Sequence, residues 1–160
     1  RDGTLSIMVG ADDETFENIR PALDRMGRDV THCGAVGAGQ VVKLMNNMVL
    51  FQTVNALAEA LTIGRRAGVE GEILFQALSN GSADSFALRN HGMKALLPGN
   101  FPERAFSTRY AQKDLSYALE LAAEFGLAPD GAANTARILE NSEEAGFGEN
   151  YFPALLNVTG

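Results

Sequence analysis

The chain has 160 residues, with 13 Lys and Arg against 20 Asp and Glu, a net charge of −7. That balance argues against nucleic-acid binding, which needs a basic face to neutralise phosphates. No apolar run reaches the roughly 18 residues of a membrane-spanning helix, which excludes a chain that crosses a bilayer in that way. The single cysteine, Cys33, cannot form an internal disulfide, and with His32 and His91 it cannot complete a four-ligand zinc site, so no metal is expected. A reducing cytoplasm is the natural compartment for such a chain.

The chain opens Arg1-Asp2-Gly3-Thr4, without an initiator Met or a signal peptide, and enters the apolar run Leu5-Ser6-Ile7-Met8-Val9 before Gly10. The run reads as a buried strand that needs neighbours. The other strand candidate is Asp29-Val30-Thr31-His32-Cys33, and two strands alone make a marginal sheet. Residues 1–33 therefore read as the tail of a larger α/β domain, with a small hairpin packed on helices as the alternative. Between the strands, 13–26 has helical periodicity through Phe16, Ile19, Leu23 and Met26, with Asp12 or Asp13 to cap it and Gly27 to end it.

After Cys33 the glycines Gly34, Gly37 and Gly39 precede a long segment, 40–67, that lacks Pro and holds Gly only at Gly64. Its apolar residues circle most of the helix, which predicts a central, buried one. The glycine spacing is G-x-x-G-x-G, not the dinucleotide fingerprint. Glu59 lies 20 residues past Gly39 but inside the helix, not at the end of a second strand. The glycines read better as a sharp turn where the backbone passes close to another body. Shorter helices follow at 72–78, 85–97, 108–125 and 130–145, with a last short one at 151–156.

Lys43, Asn46 and Asn47 stand out as polar residues in the apolar helix. Lys43 and Asn47 are four apart, hence on one face. A buried ammonium is costly unless paired, and lysine shifts its pKa readily, which suits general acid/base work. The alternative is a snorkelling lysine and an Asn pair at a kink. Lys113-Asp114 opens an amphipathic helix and by itself reads as a solvated helix end.

In sequence order, Gly3-Thr4-Leu5-Ser6-Ile7-Met8-Val9-Gly10, Gly34-x-x-Gly37-x-Gly39-x-x-x-Lys43-x-x-Asn46-Asn47, Phe106-x-Thr108-x-Tyr110-x-x-Lys113-Asp114-Leu115 and Gly146-x-Gly148 with Ala154-Leu155 span essentially the whole chain. Together they resemble the β-hydroxyacid dehydrogenase family, of 3-hydroxyisobutyrate dehydrogenase-like enzymes. The Gly–Lys–Asn motif is specific, the Lys-Asp-Leu segment moderately so, and the terminal glycines weak.

The resemblance implies a mainly α chain: residues 1–33 as the last strand–helix–strand of a Rossmann domain, and 34–160 as an all-α domain similar to the C-terminal domain of 6-phosphogluconate dehydrogenase. It implies hydride transfer between a 3-hydroxy acid and NAD or NADP, with Lys43 as catalytic acid/base and Asn47 and Asn46 as substrate contacts. It also places Lys113 at the nicotinamide end of the cofactor, Phe106 as a wall of that pocket, and Asp114 as a residue that orients Lys113 or ties it to the long helix. Tyr110 stands where the family commonly has an aliphatic residue, and Ala105 where it often has glycine. The family's G-x-G-x-x-G loop and substrate-carboxylate grip would precede Arg1, so the 160 residues alone are expected to bind dinucleotide weakly and not to turn over. A homodimer or homotetramer through the helical domain is expected, and a non-catalytic helical dimerisation or binding module is the alternative.

Overall fold

The computed structural model describes residues 5–160, so Arg1-Asp2-Gly3-Thr4, which open the first family-like run, lie outside the described residues. The chain divides into two compact units, one ending at Asn46 and the other running from Asn47 to Gly160. The division falls inside one continuous helix.

The first unit is a strand–helix–strand followed by the start of that helix. β1 (Leu5–Gly10) and β2 (Gly27–Gly34) pair in parallel, with Ser6 opposite Asp29, Ile7 opposite Val30 and Val9 opposite His32. Parallel neighbours require a crossover, and α1 (Asp13–Leu23) supplies it. Asp12 caps α1, accepting from the Thr15 backbone N–H at 2.8 Å and from its hydroxyl at 2.9 Å. The helix stops at Leu23 rather than Met26. Gly27 is not its cap but the buried first residue of β2, where a Cβ would lie 2.5 Å from the Leu5 carbonyl oxygen. Of the expected apolar stripe only Phe16 is buried, stacked on the His32 ring with centroids 4.3 Å apart. His32 Nε2 donates to the Ala11 carbonyl at 2.8 Å, which joins β2 to the end of β1. The strands are less enclosed than the apolar run predicts: Leu5 is exposed, and Ile7, Met8 and Val9 are half-buried.

The glycine turn is a close-packed joint. Gly34 and Gly37 take φ of +111° and +95°, conformations open to glycine. Gly39 sits against the end of β1, where a Cβ would fall 2.5 Å from the Met8 carbonyl oxygen. From this joint α2 (Ala38–Arg66) runs for 29 residues, which at 1.5 Å per residue is roughly 43 Å. Its apolar side chains are not all covered. Leu44, Phe51, Val54, Leu57, Ala58 and Leu61 are buried, whereas Val41, Val42, Val49 and Ile63 are exposed. The predicted central helix therefore has one enclosed face, and its apolar character continues onto the open one.

The second unit is helical. After the α2 residues from Asn47 onward come α3 (Gly71–Ser79), a π-helical segment Leu88–Leu96, α4 (Thr108–Glu124), α5 (Asp130–Ser142) and a C-terminal 3₁₀ helix, Phe152–Val158. Where 85–97 predicts one ordinary helix, the structure widens to π geometry. Gly92 lies there against Leu88 and Phe75, where an added Cβ would fall 3.2 Å from each side chain, a tight fit. α4 packs on α5 and on the 3₁₀ helix. Their buried residues include Ala111, Leu115, Ala118, Ala132, Leu139 and Leu155. α5 ends at Ser142, and a π turn through Glu143–Phe147 closes at Gly146 with φ +96°. Two isolated antiparallel bridges, Glu103 to Asn150 and Ser107 to Tyr151, fasten the approach to α4 against the C-terminal segment.

Candidate functional site

α4 begins at a well-defined cap. Ser107 Oγ accepts from the Tyr110 backbone N–H at 3.3 Å, and Thr108 is fully buried, its own N–H donating to the Asn150 carbonyl at 2.9 Å. Arg109 bonds Glu143 and Glu149 at the surface, and these carboxylates raise the guanidinium pKa, the Glu143 hydrogen bond most. The first turn of α4 is thus clamped to the C-terminal segment from two sides.

Around this clamped turn lie Phe106, just ahead of the cap, Tyr110 within it, and Lys113 and Asp114 on the next turn. Asp114 points inward and is buried, and Asn47 Nδ2 donates to its Oδ2 at 2.7 Å. Lys113 points outward and is exposed, with Nζ 3.8 Å from the centroid of the Tyr110 ring. Phe106 is half-buried. Its ring meets Tyr110 edge to face at 5.1 Å, Phe152 edge to face at 5.9 Å and Phe51 at 5.8 Å. The second unit therefore brings together four residues singled out from sequence: Asn47, Phe106, Lys113 and Asp114. Asp114 is tied to the long helix by a direct bond, one of the two roles the resemblance offered.

Lys43 and Asn46 belong to the first unit. Lys43 is partly exposed rather than enclosed, and Asn46 is exposed. The buried amine expected from the hydrophobic surroundings is thus a half-covered one, because Val41 and Val42 beside it are themselves exposed. Glu59 takes no part: it accepts from Asn55 at 3.1 Å within α2.

The supporting residues Phe51 and Phe152 were not singled out from sequence, and Tyr110 was noted there only as a departure from the family pattern, without a role. For Tyr110 a readable signal existed, since it lies three residues before Lys113, a spacing that lets side chains meet on a helix. The Phe51–Phe152 contact joins segments far apart in the chain and left no local trace. A second polar pair also went unread: the Tyr151 hydroxyl and His91 Nδ1 share a hydrogen bond, inside a group of rings with Phe86 and Phe152. Burial, then the nearby Lys94 charge, lowers the His91 pKa, and burial raises that of Tyr151.

A nicotinamide dinucleotide has a flat ring at one end and an anionic pyrophosphate in its middle. The Phe106 and Tyr110 rings are flat surfaces of the kind on which a planar ring stacks, and the Lys113 ammonium is a donor that suits a carboxamide or phosphate oxygen rather than the ring itself, which is cationic in the oxidised cofactor. For the pyrophosphate the usual holder is a strand–G-x-G-x-x-G–helix turn, and the 160 residues contain no such run. Among the described residues no group of three or more His, Cys, Asp or Glu is placed to hold a metal ion, and no helix is long and apolar enough to cross a membrane.

Comparison with known proteins places these segments. Residues 37–159 match the family described as NAD-binding of NADP-dependent 3-hydroxyisobutyrate dehydrogenase, and residues 1–34 match the NAD binding domain of 6-phosphogluconate dehydrogenase. A 2-(hydroxymethyl)glutarate dehydrogenase of Eubacterium barkeri is 35% identical over 156 residues, covering 98% of this chain and 52% of that protein. The crystallised 3-hydroxyisobutyrate dehydrogenase of Mycobacterium tuberculosis with L-serine superimposes with a TM-score of 0.87 at 30% identity, over 98% of this chain and 55% of that one. A 3-hydroxyisobutyrate dehydrogenase structure from Salmonella typhimurium has the same fold, with a TM-score of 0.88 at 21% identity, over 98% and 54%. The chain spans about half the length of the proteins it matches.

Proposed function

We propose that this chain, which belongs to the β-hydroxyacid dehydrogenase family, is the substrate-side half of an enzyme that moves a hydride between NAD or NADP and a 2-substituted 3-hydroxy acid. Relatives named for 3-hydroxyisobutyrate and for 2-(hydroxymethyl)glutarate support that substrate class. The division of labour follows the resemblance, with residues up to 33 as the end of the dinucleotide-binding domain and 34–160 as the substrate and subunit-contact domain.

The cofactor, when bound, supplies the hydride chemistry. The chain supplies orientation and a proton. Lys43 takes the hydroxyl proton as the alcohol is oxidised and returns it to the carbonyl oxygen in the reverse direction. Asn47, with Asn46 beside it, holds substrate oxygen atoms. Its bond to Asp114 fixes the plane of the carboxamide. Phe106 walls the nicotinamide end, and Lys113 sets a positive charge there.

The observation that carries this reading is that Asn47–Asp114 bond. It joins the Gly–Lys–Asn motif to the Lys-Asp-Leu motif, 67 positions later, in one hydrogen-bonded pair. In the whole protein, Lys43→Ala is expected to lower kcat by about 10²- to 10⁴-fold with cofactor affinity unchanged. Turnover like the wild type removes Lys43 from the mechanism. The 160 residues by themselves are expected to give no enhancement of NADH fluorescence and no steady turnover, and either signal would correct that expectation.

A second reading, a helical self-association module, is favoured by the exposed apolar side chains of α2, Val49 at 58% and Ile63 at 68%. Light scattering gives its test. A catalytically silent oligomer supports it, and an oligomer that loses activity with Lys43→Ala is the enzyme of the first reading.

A further inference from the structure

We propose that Tyr110 is a positioning residue for the reaction, its ring holding the Lys113 ammonium in one place at the cofactor end of the site. The proposal rests on the assignment of Lys113 to the cofactor made above. Lysine is a compact charge on a flexible four-carbon stem, and Lys113 is exposed. Left to itself, such an ammonium samples many rotamers and meets a ligand at an entropic penalty. Here Nζ lies 3.8 Å from the centroid of the Tyr110 ring, within the range in which an aromatic face attracts a cation.

The ring that holds it is not loose. Tyr110 packs edge to face on Phe106 at 5.1 Å and 71°. Phe106 in turn packs on Phe152 and tilts against Phe51. Phe51 and Phe152 are fully buried and meet each other at 5.2 Å. The backbone beneath is fixed as well, by the Ser107 cap on the Tyr110 N–H and by the Phe152 N–H donating to the Phe106 carbonyl at 3.0 Å. A continuous path of rings thus runs from the core of the second unit to the surface ammonium. The Tyr110 hydroxyl has no part in this path, so phenylalanine would serve equally well.

The test uses the whole protein with Tyr110→Leu, Tyr110→Phe and Lys113→Ala. Tyr110→Leu is expected to raise the KM for the nicotinamide cofactor about 2- to 5-fold, with kcat within twofold of wild type, and Tyr110→Phe to restore both. After reductive ¹³C-methylation, the Lys113 resonance, identified by its loss in Lys113→Ala, should be displaced by the ring current in wild type and Tyr110→Phe. In Tyr110→Leu it should return to the position of other exposed lysines. A Lys113 resonance that ignores Tyr110, or a cofactor KM that rises in Lys113→Ala but not in Tyr110→Leu, overturns the proposal alone. A KM unmoved by Lys113→Ala overturns the cofactor assignment of Lys113 as well.

Discussion

Asn47 on α2 and Asp114 on α4, 67 positions apart, share a hydrogen bond of 2.7 Å in which the carboxamide donates and a buried carboxylate oxygen accepts. A buried polar group that loses its partner keeps its desolvation penalty. Asp114→Ala is therefore expected to cost about 1–3 kcal/mol, read as a lower urea midpoint at unchanged m-value. The double variant with Asn47→Ala should cost less than the sum of the two single changes. Strict additivity would mean that the bond does not couple the two helices.

Lys43→Arg separates charge from proton transfer. Arginine keeps the positive charge and does not give up its proton at working pH. If Lys43 is the acid/base, the kcat of the whole protein falls nearly as far as in Lys43→Ala while cofactor affinity holds. Half or more of the wild-type turnover would reduce Lys43 to an electrostatic role.

The glycine joint distinguishes two kinds of strain. At Gly37 an added Cβ meets nothing within 4 Å, but φ is +95°, so Gly37→Ala should cost about 1–2 kcal/mol in backbone strain alone. At Gly39 the added Cβ falls 2.5 Å from the Met8 carbonyl oxygen and 2.9 Å from the Gly10 nitrogen, both backbone atoms. Gly39→Ala should therefore be the more destabilising, at the upper end of overpacking costs of about 1–3 kcal/mol or beyond. Chemical denaturation of both variants checks the order, and the reverse order would contradict the close approach.

The pair of His91 and Tyr151 makes stability depend on pH. The native His91 pKa lies below its ordinary 6.5, through burial first and the Lys94 charge second. The unfolded chain then binds the proton more readily as pH falls. The contribution of His91 is fully present above about pH 6.5 and is lost as pH falls through that value and on through the lowered native one. Thermal melts between pH 7.5 and pH 5 should show Tm falling in the wild type, and the difference from His91→Gln narrowing in the same window. A constant difference would mean that His91 titrates alike in both states.

Much of this was legible in the residues. Gly, Pro and cap signals mark the helices to within a few residues, because a positive φ or an N-cap is a local demand that a few residues reveal. Gly146 and Asp12 are examples. The motif residues of α2 and α4 could be named before any coordinates through the family resemblance, while helical spacing by itself put only Lys43 and Asn47 on one face. Long-range packing was not legible. Nothing local announces that Phe51 meets Phe152, or that Asp114 rather than Lys113 turns inward. The widening to π geometry at Leu88–Leu96 also escaped, because the one glycine in that run, Gly92, is tolerated inside an ordinary helical pattern and does not announce π geometry. Burial was overestimated wherever an apolar pattern was taken as covered, as at Leu5 and Val49.

Gly39 rests on the Met8 carbonyl, and Lys43 follows one helical turn later in the same unit. The Lys43 backbone is thereby referenced to the strand pair: any tilt of β1 is passed through a joint with no slack to the helix turn about 6 Å further along the axis, from which the lysine stem starts. A spin label pair on Ser6 and Gln40 would hold a fixed separation, and engineering that loosens this joint would shift the base of the Lys43 side chain before it touched the lysine itself.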